Sequence, residues 1–144
     1  MISETNIKGA MQVELPIKIH GYDIDVMGIV HNIVYLRWFE HLRQDFLDHF
    51  WPLEQMLKND QAPILHKSSV EYKKPLTIYD KPTGRLWLES VKHARWTVNI
   101  EIEQNNEIHA LGLQSGFFFD LKEKRPVLLP KELVHKFKEF HAEG

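Results

Sequence analysis

NIVYLRWFEHLRQDFLDHF, residues 32–50, sets Tyr35, Trp38, Phe39, Leu42 and Phe46 at i, i+3, i+4, i+7 and i+11. That spacing is one face of a helix about five turns long. So much aromatic bulk on one face implies deep burial, and a helix of this kind needs a broad apolar surface to lie on. A sheet wrapped around it supplies one. Trp51 and Pro52 end the run, and Pro52 to Lys58 starts a second, short helix with its proline in the first turn.

On either side the period changes to two. Upstream, Val13, Leu15, Ile17 and Ile19 alternate with Glu14, Pro16, Lys18 and His20, a strand with one buried face. Pro16 cannot donate to a ladder, so this strand belongs at an edge or bends there. Downstream, Ala62 to Lys73 reads as a strand, Pro75 to Pro82 as turn chemistry, and Gly84 to Lys92 as a strand with Leu86 and Leu88 on one face. Trp96, Val98, Ile100 and Ile102 alternate faultlessly with Thr97, Asn99, Glu101 and Glu103. Asn105 and Asn106 suit a tight hairpin, because Asn tolerates positive φ. The chain then returns from His109 to Asp120 with Leu111, Leu113, Phe117 and Phe119 on one face, and Pro130 to His141 forms an amphipathic tail helix on Leu133, Phe137 and Phe140. Strand, long helix, then strands in antiparallel succession is an α+β order with the helices on one face of the sheet.

The chain has 144 residues, of which 43% are hydrophobic and 26% charged, the balance of one domain spanning 1–144. That length supports a core without metals or crosslinks. With no cysteine there is no disulfide framework, thiolate nucleophile or Cys-based zinc site. Eighteen Lys and Arg against twenty Asp and Glu give a net charge of -2, which argues against a nucleic-acid binder with an overall basic surface. The nine histidines show no metal spacing, so no metal and no cofactor are expected. The opening stretch MISETNIKGAM has no apolar run, and no segment approaches the roughly twenty apolar residues of a membrane helix. The expectation is a cytoplasmic protein without membrane contact.

Chemistry is expected between the first strand and the long helix, in GYDIDVMGIVH, residues 21–31. Two acids and two glycines stand there in an apolar setting. Asp23 and Asp25 point the same way if the backbone is extended, and Gly28 lets the chain bend before the helix. The first N–H groups of that helix have no intrahelical partner and can donate to a carbonyl oxygen that becomes negative during reaction. A carboxylate beside such donors suits acyl transfer, where one donor contributes about 3 to 4 kcal/mol. A thioester suits it best. Its thiol, with a pKa of about 8.5, leaves without a strong general acid, and no Ser, His, Asp triad is evident. The plain alternative is that these acids are helix caps and these glycines turns.

Tyr22-Asp23-Ile24-Asp25-Val26-Met27-Gly28-Ile29-Val30-His31-Asn32, followed by Tyr35-Leu36-Arg37-Trp38-Phe39-Glu40, resembles the hotdog-fold acyl-CoA thioesterases of the 4-hydroxybenzoyl-CoA thioesterase type. Val70-Glu71-Tyr72 with Pro75 is similar to the start of that family's second strand. The resemblance implies an antiparallel sheet of about five strands around one long central helix. It implies that Asp25 is the catalytic carboxylate, as nucleophile or as base for water, and that the backbone N–H of Asn32 polarises the thioester carbonyl. One branch of the family has Tyr then His where this chain has His31 then Asn32, and another has Asn at both. For His31 a general-acid role stands beside a helix contact or a solvated imidazole.

Around these, Gly28 and Tyr35 are candidate substrate contacts. Coenzyme A carries phosphates, so Lys73, Lys74 and Arg95 are further candidates, with solvated strand ends as the plain reading. Glu40, three residues from both Arg37 and Arg43, reads more easily as one half of an ion pair than as a catalyst. The function expected is hydrolysis of an acyl-CoA to free acid and CoA. The alternative is a non-catalytic binder of acyl-CoA or acyl carrier protein; a dehydratase of the same fold fits least. Open strand edges favour a homodimer or homotetramer.

Overall fold

The computed structural model describes residues 11–143; the opening stretch falls almost entirely outside them. Helix α1 (Asn32–Phe50) buries Val34, Tyr35, Trp38, Phe39, Leu42 and Phe46, the apolar face its spacing predicts. Phe39 and Leu42 are wholly enclosed, each worth about 1.5 to 3 kcal/mol of apolar burial. Five antiparallel strands surround it: β1 (Gln12–Pro16), β2 (Gln61–Tyr72), β3 (Thr83–Lys92), β4 (Arg95–Gln104) and β5 (Glu107–Asp120), in the spatial order β1-β3-β4-β5-β2. A two-residue β6 (Arg125–Pro126) pairs with β5. Because α1 touches both outer strands, β1 and β2, as well as β3, the sheet curls around the helix. Pro16 ends β1, which lies at an edge as a proline there requires.

The approach of α1 to β5 sets the thickness of this layer. Phe39 lies over Gly112, where a Cβ would come within 2.5 Å of its ring, and Arg43 Nη1 donates to Gln114 Oε1 at 2.6 Å. Four residues of helix advance about 6 Å and two of strand about 6.8 Å, so contacts made at 39 and 112 stay in step at 43 and 114. Ala110, Gly112, Gln114, Gly116 and Phe118 therefore face the helix. This corrects the expectation for β5: Leu111, Leu113, Phe117 and Phe119 do share a face, but it is the outer one, and Leu113 is 44% exposed. At Gly112 the inner face is small because the Phe39 ring of the helix lies close against it.

Asn105 and Asn106 turn the β4–β5 hairpin at φ 53° and 63°, as their residue type predicts. Helix α2 (Leu53–Lys58) follows α1 directly. Helix α3 (Lys131–Glu143) crosses the far end of α1, where Lys136 Nζ donates to the Phe50 carbonyl at 3.1 Å, a cation at a helix C-terminus. On the outer face Arg85, 2% exposed, is held by Glu101 at 2.6 Å, Glu103 at 3.3 Å and Glu14 at 3.8 Å. Among the described residues no helix is long and apolar enough to cross a membrane.

A Cβ at Gly116 would sit 1.9 Å from the Ile64 carbonyl oxygen, which is backbone and cannot swing aside, whereas Gly112 faces a ring that can. Gly116→Ala is expected to cost about 3 kcal/mol or more and Gly112→Ala about 1 to 3 kcal/mol, read from urea unfolding midpoints. The reverse ranking would contradict the placement of β5.

Candidate active site

The segment before α1 folds back on itself. Gly21–Asp23 forms one tight turn in which the His20 N–H donates to Asp23 Oδ2 at 2.9 Å, so Asp23, 3% exposed, is a buried cap. Ile24 and Val30 then bridge as antiparallel partners, and the N–H of Asp25 donates to the Ile29 carbonyl at 2.8 Å. Gly28 closes the bend at φ 81°, a left-handed conformation that glycine adopts without strain. The two acids do not point together as an extended backbone would require: Asp23 turns inward and Asp25 stays at the bend.

Asp25 is held by its own loop. Its Oδ1 accepts from Met27 N at 2.8 Å and Ile29 N at 3.3 Å, while Oδ2 meets no donor among the described residues. On the returning arm, His31 N donates to the Asp23 carbonyl and Val30 N to that of Leu76, both at 2.9 Å, which anchors the start of α1 beside the bend. Val34 N reaches the His31 carbonyl at 3.0 Å, but the His31 side chain makes no cap bond. The N–H groups of Asn32 and Ile33 meet no acceptor among the described residues, so the positive end of the helix is open.

Tyr35 lies behind this end, and burial pushes its phenol up to about 12, with Tyr72 and Asp80 adding to the effect. It stays protonated through the neutral range. Tyr72, read in the sequence only as part of a strand and not as a site residue, donates its hydroxyl to the Asn32 carbonyl at 2.9 Å, and its ring meets Tyr35 edge-on at 5.1 Å. Val26, Met27, Tyr22 and Ile33 make an exposed apolar rim, each more than 70% accessible. Asp25 thus sits on a rim of the single chain. Two recesses adjoin the helix: an apolar cavity between Phe46, Met56, Trp96 and Leu133, and a cleft of about 400 Å³ between β1 and α1 that Tyr22 and Asp23 also line.

The expected phosphate contacts are divided. Lys73 pairs with Glu71 at 3.4 Å and Lys74 with Glu107 at 2.6 Å, near the start of α1. The Lys74 bond also holds the Glu107 carboxyl below its usual range. Arg95 stacks on Phe117 at 5.0 Å, at the opposite end of the sheet. Its cross-strand partner Phe117 is eight residues along β5 from His109, whose carbonyl receives Lys73 N and Lys74 N, a separation of about 27 Å. Glu40 pairs with Arg43, and Arg37 has no carboxylate partner among the described residues. No group of three or more His, Asp or Glu among the described residues is placed to hold a metal.

The sequence pattern of the thioesterase-like superfamily matches residues 19–137. The chain belongs to that superfamily, and the curled sheet around α1 is its hotdog fold. Its class is that of the thioester hydrolases. Over 130 residues it is 28% identical to a putative esterase of Aquifex aeolicus, covering 85% of this chain and 94% of that one. It is 25% identical to the long-chain acyl-CoA thioesterase FadM of Escherichia coli strain K12, covering 88% and 98%. The DHNA-CoA thioesterase of Staphylococcus aureus has the same fold, with a TM-score of 0.82 at 20% identity over 91% of each chain.

The turn carrying the Leu76 carbonyl is clamped by Asp80, whose carboxyl is held below its ordinary value of 3.8 by donation from Gln104 Nε2 and Thr77 N. A depressed carboxyl adds stability that is complete above the unfolded value and lost as pH falls through the folded one. Asp80→Asn is expected to remove about 1 kcal/mol near neutrality and to flatten the acid limb of the stability curve between about pH 5 and 3. An unchanged acid limb would contradict the clamp.

Proposed function

We propose that this chain hydrolyses the thioester of an acyl-CoA, with Asp25 as nucleophile or general base and the N–H of Asn32 as oxyanion donor. One observation carries the reading: among the described residues Asp25 Oδ2 meets no donor while Oδ1 is locked by Met27 N and Ile29 N, in a loop tied by the Ile24–Val30 bridge to an open helix end. A substrate carbonyl at that end receives the Asn32 N–H as its oxygen becomes negative. If Oδ2 attacks the carbonyl carbon, the C–S bond breaks, the thiolate departs with the electron pair, and water cleaves the resulting anhydride. If Asp25 instead takes a proton from water, hydroxide adds and the same bond breaks. The thiolate needs no strong acid, which leaves His31 dispensable as a proton donor. The long-chain acyl-CoA thioesterase and the putative esterase among the relatives support this reaction class.

A rim needs a second wall, and a second copy supplies it. β2 is an outer strand of the sheet and exposes Ile64 and Leu65. Two β2 edges paired about a two-fold axis run antiparallel, so the Tyr72 end of one copy lies beside the Gln61 end of the other. That arrangement covers the Ile33 side of the apolar rim, leaves Tyr22 on the opposite flank open, and carries the second copy's Arg95 toward Asp25, where with Lys73 and Lys74 it attracts an anionic substrate. Gly28 keeps the bend narrow, and Tyr35 backs the reacting group.

Asn at position 25 preserves the Oδ1 acceptor, so Asp25→Asn is expected to fold normally and to slow thiol release from acyl-CoAs by about 10²- to 10⁴-fold, whereas His31→Ala stays within about tenfold of the parent. An unchanged rate in Asp25→Asn would overturn the mechanism. No thiol release from any acyl-CoA would favour the binding protein. Sedimentation is expected to give at least twice the 17.1 kDa chain mass, and a monomer at working concentration would remove the second wall.

A further inference from the structure

We infer that the cleft between β1 and the outer flank of α1 binds the phosphorylated nucleotide end of coenzyme A through Lys18 and Arg37, with His20 and Tyr22 as a stacking platform for its base. This rests on the acyl-CoA reading and names a substrate contact on the flank of α1 away from β2. Lys18, His20, Tyr22, Arg37 and His41 line the cleft, and Trp38 and Leu42 contribute to its apolar floor. Several cations near the helix and the sheet edge are already paired: Arg43 with Glu40, Lys73 with Glu71, Lys74 with Glu107 and Lys122 with Asp60. Lys18 and Arg37 have no carboxylate partner among the described residues. Asp23, the one carboxylate lining the cleft, has Oδ2 committed to His20 N. Two unpaired cations above an apolar floor concentrate positive potential, and an Arg fork matches a phosphate group.

The platform supplies the second half of the recognition. His20 and Tyr22 rings lie parallel, 4.8 Å apart and within 5°, and Tyr22 is 75% exposed, so an outer ring face is open to a purine. The reach fits. Arg37 and His41 stand about 7.5 and 13.5 Å along the helix axis from Asn32. The pantetheine arm from sulfur to phosphate has about thirteen bonds that advance about 1.25 Å each, about 16 Å in all. A thioester held at Asn32 can therefore place its phosphates beside Arg37 and Lys18 without strain.

The test compares an acyl-CoA with the same acyl group on pantetheine, which lacks the nucleotide. In the parent, KM for acyl-CoA is expected to be at least tenfold lower and to rise with salt, while KM for acyl-pantetheine does not. The double variant Lys18→Glu, Arg37→Glu is expected to raise KM for acyl-CoA by about tenfold or more with kcat little changed, and to leave acyl-pantetheine hydrolysis alone. Arg37→Gln, a milder change on an exposed flank, is expected to give a smaller shift in the same direction. Calorimetry with adenosine 3',5'-bisphosphate reads the cleft without turnover, and binding is expected to be lost in the double variant; weakening by inorganic phosphate alone would assign the site to phosphate only. Equal KM for the two substrates in the parent, or bisphosphate binding that survives the double reversal, would overturn the inference. If neither substrate is hydrolysed but the bisphosphate binds and the reversal abolishes it, the hydrolase reading fails and the nucleotide cleft stands.

Discussion

The contact on which the rest depends is the close seating of α1 against the small inner face of β5. With Phe39 over Gly112 and Arg43 on Gln114, the helix cannot rotate or slide without losing its step with the strand. That fixes where its N-terminus emerges and so where the open N–H groups of Asn32 and Ile33 point. The Ile24–Val30 bridge and the bond from Val30 to Leu76 then place the Asp25 bend beside that end. The candidate site is a consequence of how one helix is clamped rather than of a preformed pocket.

The same seating divides α1 into two flanks with different properties. Toward β2 lie Leu36, Glu40 with its partner Arg43, and the edge strand that offers a second copy a surface to pair with. Toward β1 lie Arg37 and His41, facing Lys18 across a cleft. One flank suits association and the other a charged ligand, while the helix end between them is left to the reacting group. Burial of the phenol of Tyr35 keeps a neutral ring behind that end. A neutral wall there preserves the field of the helix terminus for the carbonyl oxygen.

Much of the fold was legible from residue spacing. Helix α1 runs over the span its aromatic face predicts, β4 follows its uninterrupted alternation, and the Asn105–Asn106 hairpin follows from the tolerance of Asn for positive φ. The facing of β5 was not legible, because Leu111, Leu113, Phe117 and Phe119 lie outward while Gly112 lies under the Phe39 ring; apolar alternation signals a face, not which side the helix occupies. Arg85 escaped for a related reason: three glutamates on neighbouring strands cover it, and only strand register brings them together. In the loop, the resemblance to hotdog thioesterases selected Asp25, while spacing alone could not separate it from Asp23. Spacing left open whether Glu40 pairs with Arg37 or Arg43, and the cleft that sets Arg37 beside Lys18 depends on the packing of β1 against α1, so neither cation stood out beside Lys73, Lys74 and Arg95.

Hydrolysis at this site requires one carboxylate oxygen and one helix N–H to converge on a single carbonyl group. A crystal structure with an unreactive ketone analogue of an acyl-CoA reads that directly. It is expected to place the ketone oxygen about 2.7 to 3.1 Å from Asn32 N, with Asp25 Oδ2 about 3 to 3.5 Å from the carbonyl carbon or one water removed from it. An analogue bound with its carbonyl away from the start of α1, or with Asp25 turned from it, would contradict the account.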